Sequence, residues 1–327
     1  MPSTPRYDFA SKPRSTDAFG TRSFLPNRLR YDLGLVGTRC RARGRPAGQA
    51  PPISTLFQLA PSAFLWETLS AMKTKDEIVA NWLPRYTGTP LKDFGKHILL
   101  VNFNHYVRLF AKWHKVPVRG ADRPMPNATA GGITIINFGM GSASAATVMD
   151  LLHAVSPQAV LFLGKCGGLK HVANLGDLVL PIAAIRGDGA SNDYFPPEVP
   201  ALPSFSLQKA ISTTIRNHKR DYWTGTVYTT NRRVWEHDEE FKAYLKKIRC
   251  IGIDMETATI FITGFHNEIT TGALLLVSDQ PMSPEGIKTA ASDQKVTREF
   301  ADAHLRIGID SLHQLINRGL TVKHLRF

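Results

Sequence analysis

Four short stretches of the 327-residue chain carry side chains or bare backbone whose types and spacing could do chemistry. In Asn137-Phe138-Gly139-Met140-Gly141-Ser142-Ala143-Ser144 an apolar segment runs through Gly139 and Gly141 into an Ala-rich one, and such a turn frees backbone N–H groups to hold an anion. In Leu163-Gly164-Lys165-Cys166-Gly167-Gly168-Leu169 the glycines, Gly167 and Gly168 among them, let the backbone approach a ligand closely, with Lys165 as a point charge beside it. Ile251-Gly252-Ile253-Asp254-Met255-Glu256-Thr257 delivers two carboxylates where an apolar strand meets a helix. Leu274-Leu275-Leu276-Val277-Ser278-Asp279-Gln280-Pro281 places Asp279 where a buried strand meets a proline-terminated loop. Singly, each has a plainer explanation: a tight turn, a solvated lysine beside an inert cysteine, acids complementing a helix dipole, a turn carboxylate. Cys166 has no His or Asp partner in sequence that would make it a reactive thiol.

The elements that must position these stretches alternate between apolar strands and amphipathic helices, the pattern of an α/β sheet covered on both faces. Strands are predicted at His97–Asn102, Ile133–Phe138, Ala159–Leu163, Asp177–Ile182, Thr224–Thr229, Ile248–Ile253 and Gly272–Val277. Helices are predicted at Ser144–Ala154, Ser206–Asn217, Glu239–Lys247, Thr257–His266 and Lys295–Asn317. These belong to one catalytic domain, residues 72–327, and in an open α/β sheet the ligand lies outside the strand ends.

Composition narrows the class. Hydrophobic residues at 43% and charged residues at 20% describe a globular protein, and no run of eighteen apolar residues suggests a membrane span. Three scattered cysteines, Cys40, Cys166 and Cys250, point to a reducing, cytoplasmic setting and away from a paired-ligand metal cluster. The histidines show no metal-ligand pair at helical spacing, so neither a metal nor another cofactor is expected. The net charge of +13 raises a nucleic-acid reading, but its distribution does not sustain one. Residues 1–71 hold ten basic residues against four acids, with eight prolines and an alternating arginine stretch from Arg39 to Arg45. They read as a disordered basic extension or a misassigned start, with Met72 opening the folded chain. The remaining 30 basic residues against 23 acids suit a protein handling an anionic small molecule.

Together the four stretches, in this order, resemble the nucleoside phosphorylase and nucleosidase superfamily, and within it the AMP nucleosidase family. The narrower resemblance rests on Gly164-Lys165-Cys166-Gly167-Gly168-Leu169, on Thr224-Gly225-Thr226-Val227-Tyr228-Thr229-Thr230 with Trp235-Glu236, on Ile253-Asp254-Met255-Glu256 and on Val277-Ser278-Asp279-Gln280-Pro281. It covers nearly the whole body and none of residues 1–71. The resemblance implies a three-layer fold with a central mixed sheet flanked by helices, a homo-oligomer of hexamer type, and hydrolysis of AMP to adenine and ribose 5-phosphate. No nucleic-acid or membrane partner is implied.

Breaking the bond from C1′ to N9 leaves an oxocarbenium-like sugar and an adenine anion, so the site needs a proton for the base and negative charge at the ribose. By resemblance Asp279 donates to N7 of adenine and Ser278 orients it. Glu256 accepts from the 2′- and 3′-hydroxyls, Met255 packs on the sugar, and Tyr228, with Thr229 beside it, packs on the base. In phosphorylases a Ser or Thr falls where Lys165 stands, and an Arg stands at the position matched to Tyr106. Both departures weaken phosphorolysis and leave Lys165, with Arg232 or Arg233, to hold a 5′-phosphate. Arg232 and Arg233 read equally well as surface charges. Asn102 and Asn104 are expected to line the same pocket, and Gly189–Tyr194 to form a ribose-side or subunit-contact loop. No residue emerges as the base that activates water. The alternative is a phosphorolytic purine nucleoside phosphorylase, or a nucleosidase acting on an unphosphorylated nucleoside.

Overall fold

Four consecutive apolar residues, Ile98–Val101, follow His97 with no polar interruption and can only be buried on both faces, and that is the position of β1 (His97–Val101) at the heart of the sheet. A computed structural model describes residues 73–318. The expectations for residues 1–71 lie outside the described residues, all of which belong to one compact unit.

In chain order the elements are α1 (Lys75–Thr87), β1 (His97–Val101), α2 (Asn104–His114), β2 (Asn127–Ala130), β3 (Ile133–Asn137), α3 (Ser142–Leu152), β4 (Ala159–Gly168) and β5 (Leu178–Gly187). They continue with α4 (Phe205–Asn217), β6 (Trp223–Thr230), α5 (Glu239–Lys247), β7 (Gly252–Asp254), α6 (Thr257–His266), β8 (Thr271–Asp279) and α7 (Ala290–Arg318). β1 pairs in parallel with β3 and β4, and β2 is antiparallel on the edge of β3. β4 is also parallel to β8, and its last two residues pair antiparallel with β7. β7 continues to β6, β6 to β5, and β5 returns antiparallel to β8. The sheet is therefore mixed, as expected, but not open: β4, β7, β6, β5 and β8 close a ring.

Alternation along the strands divides the core. Leu100, Phe162 and Leu275 face α1, α3 and α6, whereas Leu99, Leu161 and Leu274 face α2, α4 and α7. The first eight residues of α6 are all buried, which matches a helix apolar all round. A third cluster joins Trp235 and Leu245 of the α5 region to Leu169, Cys250 and Ile253. Among the described residues no helix is long and apolar enough to cross a membrane.

Several boundaries differ from the sequence expectation. β4 runs on through Gly168, because its glycines pair with both β8 and β7. β7 is not Ile248–Ile253 but three residues long: Ile248 caps α5, and Arg249 follows with φ +58°, a left-handed turn that ends one element before the next begins. α1, α2 and β2 were not anticipated. α1 opens on a capping box between Thr74 and Glu77, a local signal worth about 1 kcal/mol that lies just inside the supposed start of the folded chain.

Candidate active site

Asp279 owes its position to an irregularity. Cys166 pairs with Val277 but Gly167 with Asp279, so Ser278 is the extra residue of a bulge and Asp279 is set opposite Gly167 at the tip of β8. Ser278 Oγ lies 2.7 Å from Asp279 Oδ1 and 3.3 Å from the Cys166 carbonyl. The Lys288 ammonium approaches the same Oδ1 at 3.3 Å. Asp279 is thus a buried carboxylate with one oxygen engaged by a hydroxyl and a lysine.

Glu256 is held from the other side of the sheet. It is the residue before α6, in line with the helix predicted at Thr257–His266, and Asp254 is the acid that caps that helix by accepting from the Thr257 N–H at 2.8 Å. Asp254 also accepts from the hydroxyls of Thr257 at 2.5 Å and Thr229 at 2.7 Å. Glu256 Oε1 accepts from the Gly141 N–H at 2.7 Å and Oε2 from the Met255 N–H at 3.2 Å. Burial, with Asp254 close by, pushes the Glu256 carboxyl up to about 8, and burial raises Asp254 as well. The free protein at neutral pH therefore keeps a proton on this pair. A hydroxyl-rich, incipiently cationic ligand favours its release.

A cavity of about 240 Å³ joins the two carboxylates. Asn102, Lys165, Gly167, Met255, Glu256 and Asp279 line it, as do Arg232 and Arg233. The other expected residues do not reach it but support those that do. The Gly139 carbonyl accepts from Asn102 Nδ2 at 2.8 Å, and Gly141, at φ +92° where L side chains are strained, donates to Glu256. Thr229 is fully buried behind Asp254 and also accepts from the Ala258 N–H. Asn104 accepts from Asn137 Nδ2, and Gly168 packs on Val277 and Ala173.

Tyr228, Lys165 and the Gly189–Tyr194 loop meet a different geometry from the one expected, whereas Tyr106 does not. Tyr228 does not line the cavity: its ring packs over Gly187 and against Phe241 and Tyr244, and the aromatics that line the cavity are Trp235 and Phe103. Lys165 is not a free charge. Its ammonium bonds Asp293 Oδ1 and Thr297 Oγ1, both at 2.8 Å, and lies 4.6 Å above the Phe103 ring. Tyr106 is buried, its hydroxyl 3.0 Å from His304 Nδ1, so no charge stands where the sequence comparison with phosphorylases placed an Arg. The loop at Gly189–Tyr194 is fastened by Arg186 and Asp188 to Ser191 and does not line the cavity.

Arg232 and Arg233 are the more exposed cations of the cavity, with side chains 44% and 55% accessible; Arg232 is salt-bridged to Asp238 at 2.8 Å and lies over the Phe241 ring, and Arg233 approaches Glu236 at 3.6 Å. Phe103, Trp235, Glu236, Lys288 and Asp293 were not assigned from sequence. Of these only Trp235-Glu236 carried a signal, as part of a motif. Lys288 and Asp293 come from the loop and first turn around the start of α7, with nothing in their local pattern to mark them.

The chain with this closed ring of strands and its two acids on one cavity belongs to the Phosphorylase superfamily, whose model its residues 96–318 match. Among individual proteins it is similar to the AMP nucleosidase of Escherichia coli (strain K12), 30% identical over 283 residues that cover 72% of this chain and 58% of that one. The chain thus spans somewhat over half the length of that curated relative. It is also similar to the crystal structure of AMP nucleosidase from Bacteroides thetaiotaomicron VPI-5482, with 56% identity and a TM-score of 0.68 over 75% of this chain and 99% of that chain. The uridine phosphorylase of Vibrio fischeri ES114 shares the fold at 21% identity, with a TM-score of 0.61 over 68% of this chain and 94% of that chain.

Proposed function

We propose that this chain hydrolyses the N-glycosidic bond of AMP, releasing adenine and ribose 5-phosphate and so controlling or salvaging the adenylate pool. The observation that carries the reading is the placement of Asp279 and Glu256 on one cavity whose rim holds Arg232 and Arg233. The similarity to two AMP nucleosidases supports it.

In this reading Asp279 protonates the departing purine at N7, with Ser278 fixing the carboxyl in place. Glu256, anchored through two backbone N–H groups, accepts from the ribose hydroxyls and presents negative charge as the sugar becomes cationic. Trp235 and Met255 supply apolar wall, and the arginines grip the 5′-phosphate with fork geometry. Lys165, already neutralised by Asp293, acts inside the site rather than on the phosphate. Residues 72–327 form the catalytic domain, working in the cytoplasm as a homo-oligomer, with residues 1–71 an extension without catalytic part.

The test is adenine release from AMP, adenosine and methylthioadenosine in phosphate-free buffer. Release from AMP alone, with ribose 5-phosphate as co-product, is the expected result. Turnover only after phosphate is added, with ribose 1-phosphate formed from adenosine, would overturn it in favour of phosphorolysis, and turnover of adenosine in preference to AMP would assign an unphosphorylated nucleoside.

A further inference from the structure

Hydrolysis at C1′ needs, besides an acid for the purine and a partner for the sugar, a group that takes the proton of the attacking water. We propose that Asp293 is that group, an assignment that rests on the nucleosidase reading above.

Five carboxylates reach the cavity, and four are committed. Asp254 is spent on the α6 cap and the Thr229 hydroxyl. Glu256 is fixed by Gly141 and Met255 for the sugar, and Asp279 is aligned by Ser278 for the base. Glu236 accepts from its neighbour's backbone N–H at 3.0 Å and stands beside Arg233 at the rim. Asp293 shares with Asp279 the pattern of one engaged oxygen, but it has no task toward the base or the sugar. Lys165 holds its Oδ1 at 2.8 Å and Lys288 approaches the same oxygen at 3.9 Å, while Oδ2 accepts no hydrogen bond from any described residue. One oxygen is clamped and the other accepts no hydrogen bond from a described residue, on a side chain that lines the cavity, which is what a base that must hold a water in one place requires.

The direction of approach also fits. Asp293 lies in the first turn of α7, on the sheet face that carries α2 and α4, whereas Glu256 precedes α6 on the opposite face. The two carboxylates therefore belong to elements in opposite layers of the sheet. Asp279 and Asp293 stand on separate elements, β8 and α7, and both approach Lys288, at 3.3 Å and 3.9 Å, so the acid and the base lie in one cavity without sharing an anchor on the backbone. The clamp itself is well made: the Lys165 ammonium is almost fully buried, and Thr297 one turn along α7 fixes its third direction.

The step balances. The water oxygen bonds to C1′ while its proton passes to Asp293 Oδ2. The C1′–N9 bond breaks with its electron pair going to the purine, which takes the proton of Asp279. Asp293 then holds one proton more and Asp279 one fewer. Lys288, 3.3 Å from Asp279 and 3.9 Å from Asp293, bridges the two for the return.

The experiment compares full-length wild type with Asp293→Asn and Asp293→Ala, reading kcat for adenine release, AMP affinity by equilibrium dialysis, and the response to sodium azide, an anionic nucleophile that needs no base. The Asn variant retains an acceptor for Lys165, so it separates loss of the base from loss of the clamp. Expected are a fall in kcat of about 10²- to 10⁴-fold in both variants, AMP affinity within about threefold, and azide-dependent recovery of adenine release in Asp293→Ala. A kcat within about threefold of wild type overturns the assignment, as does joint loss of binding and turnover without recovery by azide. Both of those outcomes leave wild-type AMP hydrolysis intact. A wild type that does not hydrolyse AMP instead sinks the nucleosidase reading, and the assignment with it.

Discussion

The backbone N–H of Gly141 donates to Glu256 Oε1 across 2.7 Å, joining the glycine turn after β3 to the carboxylate that precedes α6, 115 residues later. The bond exists because Gly141 holds φ +92° and ψ 162°, a conformation that is essentially closed to residues with a Cβ. The turn read from sequence as an anion cradle thus holds an anion of the protein's own.

Gly141→Ala tests that connection. No heavy atom lies within 4 Å of the added Cβ, so the cost is backbone strain alone, about 1–3 kcal/mol. A lowered melting temperature is expected together with a raised KM for AMP, because relaxation of the turn withdraws a donor from Glu256. An unchanged KM beside a lowered melting temperature would show that the bond serves stability and not ribose binding.

Asp279→Asn should lower kcat about 10²- to 10⁴-fold while leaving AMP affinity within a few fold, because a proton on the purine is needed mainly in the transition state. The amide can still accept from Ser278, so the β8 bulge has no reason to collapse. Stopped-turnover kinetics alongside equilibrium binding separate the two quantities. Equal losses in both would make Asp279 a structural residue.

Arg233→Ala should raise KM for AMP roughly 10-fold or more, as expected for a lost charge-assisted contact of about 1.5–3 kcal/mol, and leave kcat nearly unchanged. Lys165→Ala should behave differently. Its ammonium belongs to Asp293 and Thr297, so the loss is expected to fall on kcat for AMP rather than on KM. A raised KM with kcat unchanged in Lys165→Ala would return the 5′-phosphate to that lysine.

What was legible in the sequence follows from how local each signal is. The apolar runs of β1, β4 and β8 announce buried strands because a doubly covered strand has no polar face to confuse the reading. Glu256 and Asp279 stand out because an acid at the end of such a run needs a reason. Lys288 and Asp293 carry no comparable mark: they lie in a polar loop and helix turn, and only the packing of α7 across β4 brings them to Lys165. Tyr228 was misjudged for the converse reason. Side chains of a strand alternate between faces, and motif position alone does not say which face the cavity occupies; the tyrosine went to Gly187 and Phe241, and Trp235 took the wall. The ring closure of the sheet was illegible because it depends on β4 splitting its partners between β7 and β8, which no single strand encodes.

The raised Glu256 carboxyl makes a prediction about stability whose sign can be worked out. An unfolded glutamate ionises near 4.5 and the folded one near 8, so between those values the folded state holds the extra proton, and stability falls as pH rises through the window. His304 acts in the opposite sense at lower pH. Burial draws it down to about 4 from 6.5, so the unfolded state holds its extra proton between those values and stability there rises with pH. Above about pH 6.5 only the glutamate effect remains of the two. Glu256→Gln removes it while keeping an acceptor for Gly141, so the melting temperature of the variant should decline less than that of wild type between pH 6.5 and 8. Scanning calorimetry on both proteins across that interval reads the difference. A wild-type decline no steeper than that of the variant would mean that Glu256 ionises in the folded protein without cost, and that the carboxylate already waits in the cavity before any sugar arrives.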